Sequence, residues 1–99
     1  MKKIIALWLL ILVCGCCDKK EIPALTKKLY SSEARDRNDA ALALARCSSP
    51  AVDRAVPRLI DLMYDENVGV QSAAAYALRE IDSKQARKAL EQAEARHRK

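Results

Sequence analysis

The chain of 99 residues predicts an all-α fold, a short solenoid of two helical hairpins with a C-terminal capping helix, and three observations carry that prediction. First, Val70, Ala74, Ala77, Leu78 and Ile81 fall at i, i+4, i+7, i+8 and i+11, one face of an α-helix. Second, nearly the same pattern stands 34 positions earlier, where Ala40, Ala41, Ala43, Leu44 and Cys47 take the places of Ala74, Ala75, Ala77, Leu78 and Ile81. A fixed period of that size marks a repeat architecture. Third, the composition is 51% hydrophobic but only 4% aromatic, with no Phe, two Gly and three Pro, which favours helices over a β-sandwich.

The chain begins with Met1-Lys2-Lys3, a short positive region, and continues with the uninterrupted apolar run Ile4 to Val13. Ten residues are too few for a membrane-spanning helix, which needs about 20. The run fits the hydrophobic part of a secretory signal. It closes on Val13-Cys14-Gly15-Cys16, which resembles the lipobox of bacterial lipoproteins: a branched apolar residue, a small residue just before the cut, then Cys. The resemblance implies that residues 1–15 are removed, that the Cys16 thiol is lipidated and that the new amino terminus is acylated, palmitate being the usual kind of chain. Neither Cys14 nor Cys17 has a small residue before it, so only Cys16 meets the pattern. Several acyl chains, each adding about 0.8 kcal/mol per buried methylene, hold a protein on a membrane permanently.

Removal of Lys2 and Lys3 lowers the basic residues from 18 to 16 against 13 acidic ones, a net charge of +3 instead of +5. The charged stretch from Cys17 to Glu21 has no apolar periodicity, so residues 16–21 are expected to form a short lipidated tether and residues 22–99 the folded domain.

Ile22, Leu25 and Leu29 give the first helix of the first repeat an apolar stripe, and Val56, Leu59, Ile60 and Met63 do so in the second. Ile22-Pro23 and Val56-Pro57, like Tyr30 and Tyr64, are again 34 apart. The turns Ser31-Ser32-Glu33 and Asp65-Glu66-Asn67 supply capping side chains for the Ala-rich second helices. Ser49-Pro50 reads as a cap followed by proline at the first helical position, which leaves Pro57 inside the helix, where it should kink it. Asp82-Ser83 offers a last cap, and Ala86, Ala89, Leu90 and Ala93 give the final helix its buried stripe. The other faces of that helix carry Lys84, Arg87, Lys88, Glu91, Glu94 and Arg96, the polar cover a terminal repeat needs.

The pattern Val-x-x-x-Ala-Ala-x-Ala-Leu-x-x-Ile, after a Pro-containing first helix ending in Leu-Met-Tyr-Asp-Glu-Asn, resembles a HEAT repeat, closest to the short HEAT-like kind of bilin lyases and bacterial scaffold proteins. The resemblance covers Ile22 to about Ala93. Asp36 replaces the apolar residue found at Val70, and the Arg common at the next position stands as Arg37 but is Gln71 in the second copy. The resemblance implies that the second helices line a concave side that binds partners. Opposite their buried stripe lie Asn38, Leu42 and Ala45 in the first copy, and Ser72, Tyr76 and Arg79 in the second. Leu42 and Tyr76 stand where solubility alone would place charge, so Asn38, Leu42, Ser72, Tyr76 and Arg79 are the candidate partner-binding residues.

No constellation suited to catalysis stands out, and no cofactor or metal is expected. Asp61, Asp65 and Glu66 cluster at a helix end without an opposing base, which suits capping and solvation. The only His, His97, lies in a charged tail, the cysteines lack zinc-site spacing, and Cys47 sits on an apolar helix face, where a free thiol behaves as a small hydrophobe. From Ser83 to Lys99 six basic residues face two acidic ones, a charge balance that reads as a solvated helix face and not as a nucleic-acid site. The expectation is a non-catalytic adaptor or scaffold lipoprotein of the bacterial envelope, with the inner or outer membrane left open. A small structural subunit of an envelope complex, and an accessory factor related to HEAT-like lyases, are the alternatives.

Overall fold

The computed structural model describes residues 17–48 and 50–97, so the predicted signal peptide, Cys16 and the expected cap at Ser49 lie outside the described residues. Five α-helices make up the domain, with no strand among the described residues: α1 (Ile22–Lys28), α2 (Ala34–Leu44), α3 (Val56–Leu62), α4 (Val68–Ile81) and α5 (Lys84–His97). Helices α1, α3 and α5 form one layer of the solenoid and α2 and α4 the other. The central helix is α4, which packs on α2, α3 and α5. Among the described residues no helix is long and apolar enough to cross a membrane.

Small side chains let these helices approach closely. Ala40, Ala41, Ala74 and Ala77 are completely buried, and around them Leu29, Leu44, Leu59, Leu62, Leu78, Val52, Val56 and Val70 fill the core. Every residue of the expected α4 stripe is buried. In α3 the buried set is Val56, Leu59 and Leu62, while Ile60 and Met63 are only partly covered. The face of this seven-residue helix is therefore turned slightly from the one the pattern predicts, and Leu62 takes the inner place.

Local chemistry sets each boundary. Pro23 and Pro57 both lie in the first turn of their helices, where the missing N–H has no partner to lose. The expected kink at Pro57 is thus corrected: α3 starts at Val56, after a turn at Pro50 and a 3-10 turn over Asp53–Ala55, and Pro50 opens no α-helix. The Asn67 side chain accepts the Val70 N–H at 3.1 Å and caps α4. Ser83 does the same for α5 through the Ala86 N–H, also at 3.1 Å. Helix α4 ends on Asp82 in the left-handed conformation, with φ of 52°, its N–H returned to the Leu78 carbonyl.

Two expectations about the N-terminal part are corrected. Cys17 and Cys47 form a disulfide, so Cys47 is not a free thiol acting as a hydrophobe. The segment expected as a tether is folded as well, because Asp18 caps a 3-10 turn over Lys19–Glu21 that runs directly into α1. The apolar environment of Cys47 was legible in the helical pattern, but its bond to a residue 30 positions away was not.

Candidate functional site

The two turns between paired helices use one design with different side chains. Ser31 and Asp65 are 34 residues apart, and each accepts the backbone N–H two residues on: Glu33 to Ser31 Oγ at 3.1 Å, Asn67 to Asp65 Oδ2 at 2.9 Å. Such side chains fold the chain back and prepare the next helix start. Arg37 and Gln71 are likewise equivalent, and each donates to the carbonyl six residues earlier: Arg37 Nη1 to Ser31 at 2.8 Å, Gln71 Nε2 to Asp65. Ser31 also donates to Asp36 Oδ2 at 2.9 Å, which gives the polar residue at the Val70-equivalent position its partner.

Arg37 does what Gln71 is too short and uncharged to do. Its Nη2 reaches the Asp65 carboxylate at 3.1 Å and ties the first repeat to the second. Both side chains are about nine-tenths covered, and the Nε of Arg37 has no hydrogen-bond partner. Burial pushes the Asp65 carboxyl up, but the Asn67 N–H, the Arg37 hydrogen bond and the charges of Arg37 and Arg58 together hold it below its usual value. Arg58 stitches the same junction differently, donating from Nε to the Leu29 carbonyl at 3.1 Å with its guanidinium 4.5 Å from the Tyr30 ring centre. Arg96 repeats the ring contact at 5.1 Å over Tyr64.

The five candidate partner-binding residues sit in different surroundings. Leu42 and Tyr76 are 43% and 46% exposed at matching positions of α2 and α4, as the repeat requires. Asn38 is half-buried. Ser72 and Arg79 instead line an open groove of about 730 Å³ between α4 and α5, whose apolar wall is formed by Met63, Ala75, Leu90 and Ala93. Ala45, which the pattern places on the open face, is buried at 8% exposure, because α2 ends at Leu44 and the chain turns inward toward Cys47. No cluster of three or more potential metal-ligating side chains occurs among the described residues.

Two functional links escaped sequence reasoning. The disulfide had a parity signal: under the expectation that Cys14 leaves with a signal peptide and Cys16 is lipidated, Cys17 and Cys47 are the two thiols left to pair. The Arg37–Asp65 pair had a signal in the exchange of Ser31 for Asp65 between copies, which adds an acid opposite the basic residue of the preceding repeat. A family model described as HEAT repeats matches residues 22–97. No curated protein and no solved structure matches the chain.

Proposed function

Because the chain belongs to the HEAT-repeat family, we propose that it works as a non-catalytic protein-interaction module, exported and held on a membrane of the bacterial envelope by acylated Cys16. The observation that carries the interaction half is the exposed pair Leu42 and Tyr76, presented at the same register by two adjacent second helices. Aromatic side chains of this kind are enriched among the residues that dominate interfaces. The export half draws on the signal-like N-terminus and on the Cys17–Cys47 disulfide, since such bonds persist in oxidising compartments and are rare in the cytosol. Leu42 and Tyr76 form the contact centre, Asn38 borders it, and Ser72 with Arg79 extends the contact toward the groove beside α5.

Two experiments test the two halves separately. Labelling cells with a fatty-acid analogue should mark the wild type and the Cys14→Ala variant but leave Cys16→Ala unlabelled and uncleaved; label retained by Cys16→Ala refutes the anchor. Affinity capture from envelope extract with the acylated protein should identify a partner. The double variant Leu42→Ser, Tyr76→Ser should stay folded and lose that partner, while removal of residues 96–99 should leave capture intact. The reverse result places recognition in the basic tail and refutes the face.

A further inference from the structure

The lipid anchor and the disulfide occupy neighbouring residues, and that adjacency restricts how the domain meets a membrane. A free leash over residues 16–21 would span up to about 20 Å. Cys17 is instead bonded to Cys47, with the two Cα atoms 4.6 Å apart, and the chain continues through the capped turn at Lys19–Glu21 into α1. Slack is therefore limited to a single peptide unit between Cys16 and Cys17, about 3.8 Å between Cα atoms.

The disulfide also defines one edge of the solenoid. Cys17 precedes the start of α1 and Cys47 follows the end of α2, so the bond joins the edge where first helices begin and second helices end. The intra-repeat turns lie at the opposite edge. The eleven residues of α2, at about 1.5 Å each, put the turn at Ser31–Glu33 roughly 16 Å from Cys47. Exposed Lys19 and Lys20 follow Cys17 and exposed Arg46 precedes Cys47, three cations suited to lipid phosphates at the anchored edge. By the same definition the edge also holds exposed Arg54 and Lys84, while Asp18, Glu21, Asp53 and Asp82 offset most of the positive charge, so the covalent restraint is the cause and the cations add little.

We propose that the Cys17–Cys47 disulfide orients the domain on the bilayer. The edge holding Cys17, Arg46 and Ser48 lies against the headgroups, and the edge holding Tyr30, Tyr64 and the Arg37–Asp65 pair points away from them. The inference rests on lipidation of Cys16. It adds a directional role for a bond that would otherwise serve stability alone.

Cleavage before Cys16 removes Trp8, the one tryptophan, so a single introduced tryptophan can report distance to the membrane. The acylated protein carrying Ser48→Trp or Glu66→Trp is reconstituted in phosphatidylethanolamine–phosphatidylglycerol vesicles containing a dansyl-headgroup lipid. Energy transfer from position 48 should exceed that from position 66 at least threefold. The contrast should fall toward parity when Cys17→Ser and Cys47→Ser are added, with circular dichroism reporting retained helix. Equal or reversed transfer in the oxidised protein overturns the orientation whatever the double-serine variant does, and an undiminished contrast without the disulfide overturns its cause. Vesicle flotation and the mass of the N-terminal peptide read the anchor independently. Protein that carries no acyl mass and does not float refutes the lipoprotein reading and the orientation with it; acylated, floating protein with equal transfer refutes the orientation alone.

Discussion

Replacing Arg37 by Gln converts the first repeat to the chemistry of the second and isolates what the inter-repeat ion pair contributes. Gln71 shows that an amide at this position can still donate to the carbonyl six residues back, so Arg37→Gln should keep the bond to Ser31. It loses the 3.1 Å contact to Asp65 and leaves that carboxylate, 11% exposed, with the Asn67 N–H and the more distant Arg58 charge. A hydrogen bond to a charged group contributes about 1.5–3 kcal/mol, and partial exposure places this one near the lower end, about 2 kcal/mol. For a domain of this size that is a fall in Tm of about 8–16 °C. Arg37→Ala also strands the Ser31 carbonyl and should cost about 3–4 kcal/mol. Urea unfolding of the oxidised protein measures both, and a cycle with Asp65→Asn measures the coupling. Because Asp65 is held below its usual value in the fold, its contribution is full above the unfolded carboxylate range, near pH 4, and disappears as pH falls through the lowered native value. Arg37→Gln should therefore flatten the acid limb of stability against pH. An unchanged Tm and acid limb would refute the ion pair as the link between repeats.

Other expectations follow from single features of the fold. Breaking the disulfide by Cys17→Ser, Cys47→Ser should lower stability by about 3.5 kcal/mol, the loop-closure value for a 30-residue separation, and a cost below about 1 kcal/mol in urea would show that the loop is closed by packing alone. Ala74→Asp puts an unpaired charge at a completely buried contact and should cost more than 3 kcal/mol, whereas Ser72→Asp, on the exposed side of the same helix, should stay within about 0.5 kcal/mol; similar melting temperatures would contradict the assigned face. At Asp82, where φ is 52°, Gly should be tolerated and Ala should be about 1 kcal/mol worse than Gly, since the exposed 3.6 Å contact to Arg87 lost in both contributes little. An Ala variant as stable as the Gly variant would refute left-handed strain at that cap.

The readability of this chain tracks how local each interaction is. Apolar residues recurring at helical spacing in two copies made α4 and the stripe of α2 legible, because burial alone dictates that period. The caps at Asn67 and Ser83 were legible for the same reason, each being settled within four residues. Pro57 misled because a proline is read against a helix start, and the 3-10 turn over Asp53–Ala55 moved that start to Val56. Ala45 misled because periodicity was carried one residue past the end of α2. The surroundings of the candidate residues were partly legible: exposure of Leu42 and Tyr76 follows from register, but the placing of Ser72 and Arg79 in the α5 groove depends on where the last helix packs. The disulfide and the Arg37–Asp65 pair span 30 and 28 residues, and no local pattern encodes either.

The side chains flanking the ion pair also bear on whether the solenoid adds copies of itself. One rung needs a basic residue at the fourth position of α2 or α4 and an acid at the turn of the following unit, as Arg37 and Asp65 provide. The second unit presents Gln71 where Arg37 stands, and the first presents Ser31 where Asp65 stands. A second copy that reached these positions past α5 would meet an amide already bonded to the Asp65 carbonyl and a hydroxyl already bonded to Asp36. Gln71 and Ser31, both uncharged, therefore supply no second ion-paired link of this kind. A Gln71→Arg, Ser31→Asp variant supplies both missing charges and tests the idea directly. It should shift sedimentation toward higher mass at low salt and return to the wild-type value at high salt, as a screened surface contact does. A salt-independent shift, or none, would show that these two residues do not limit end-to-end association.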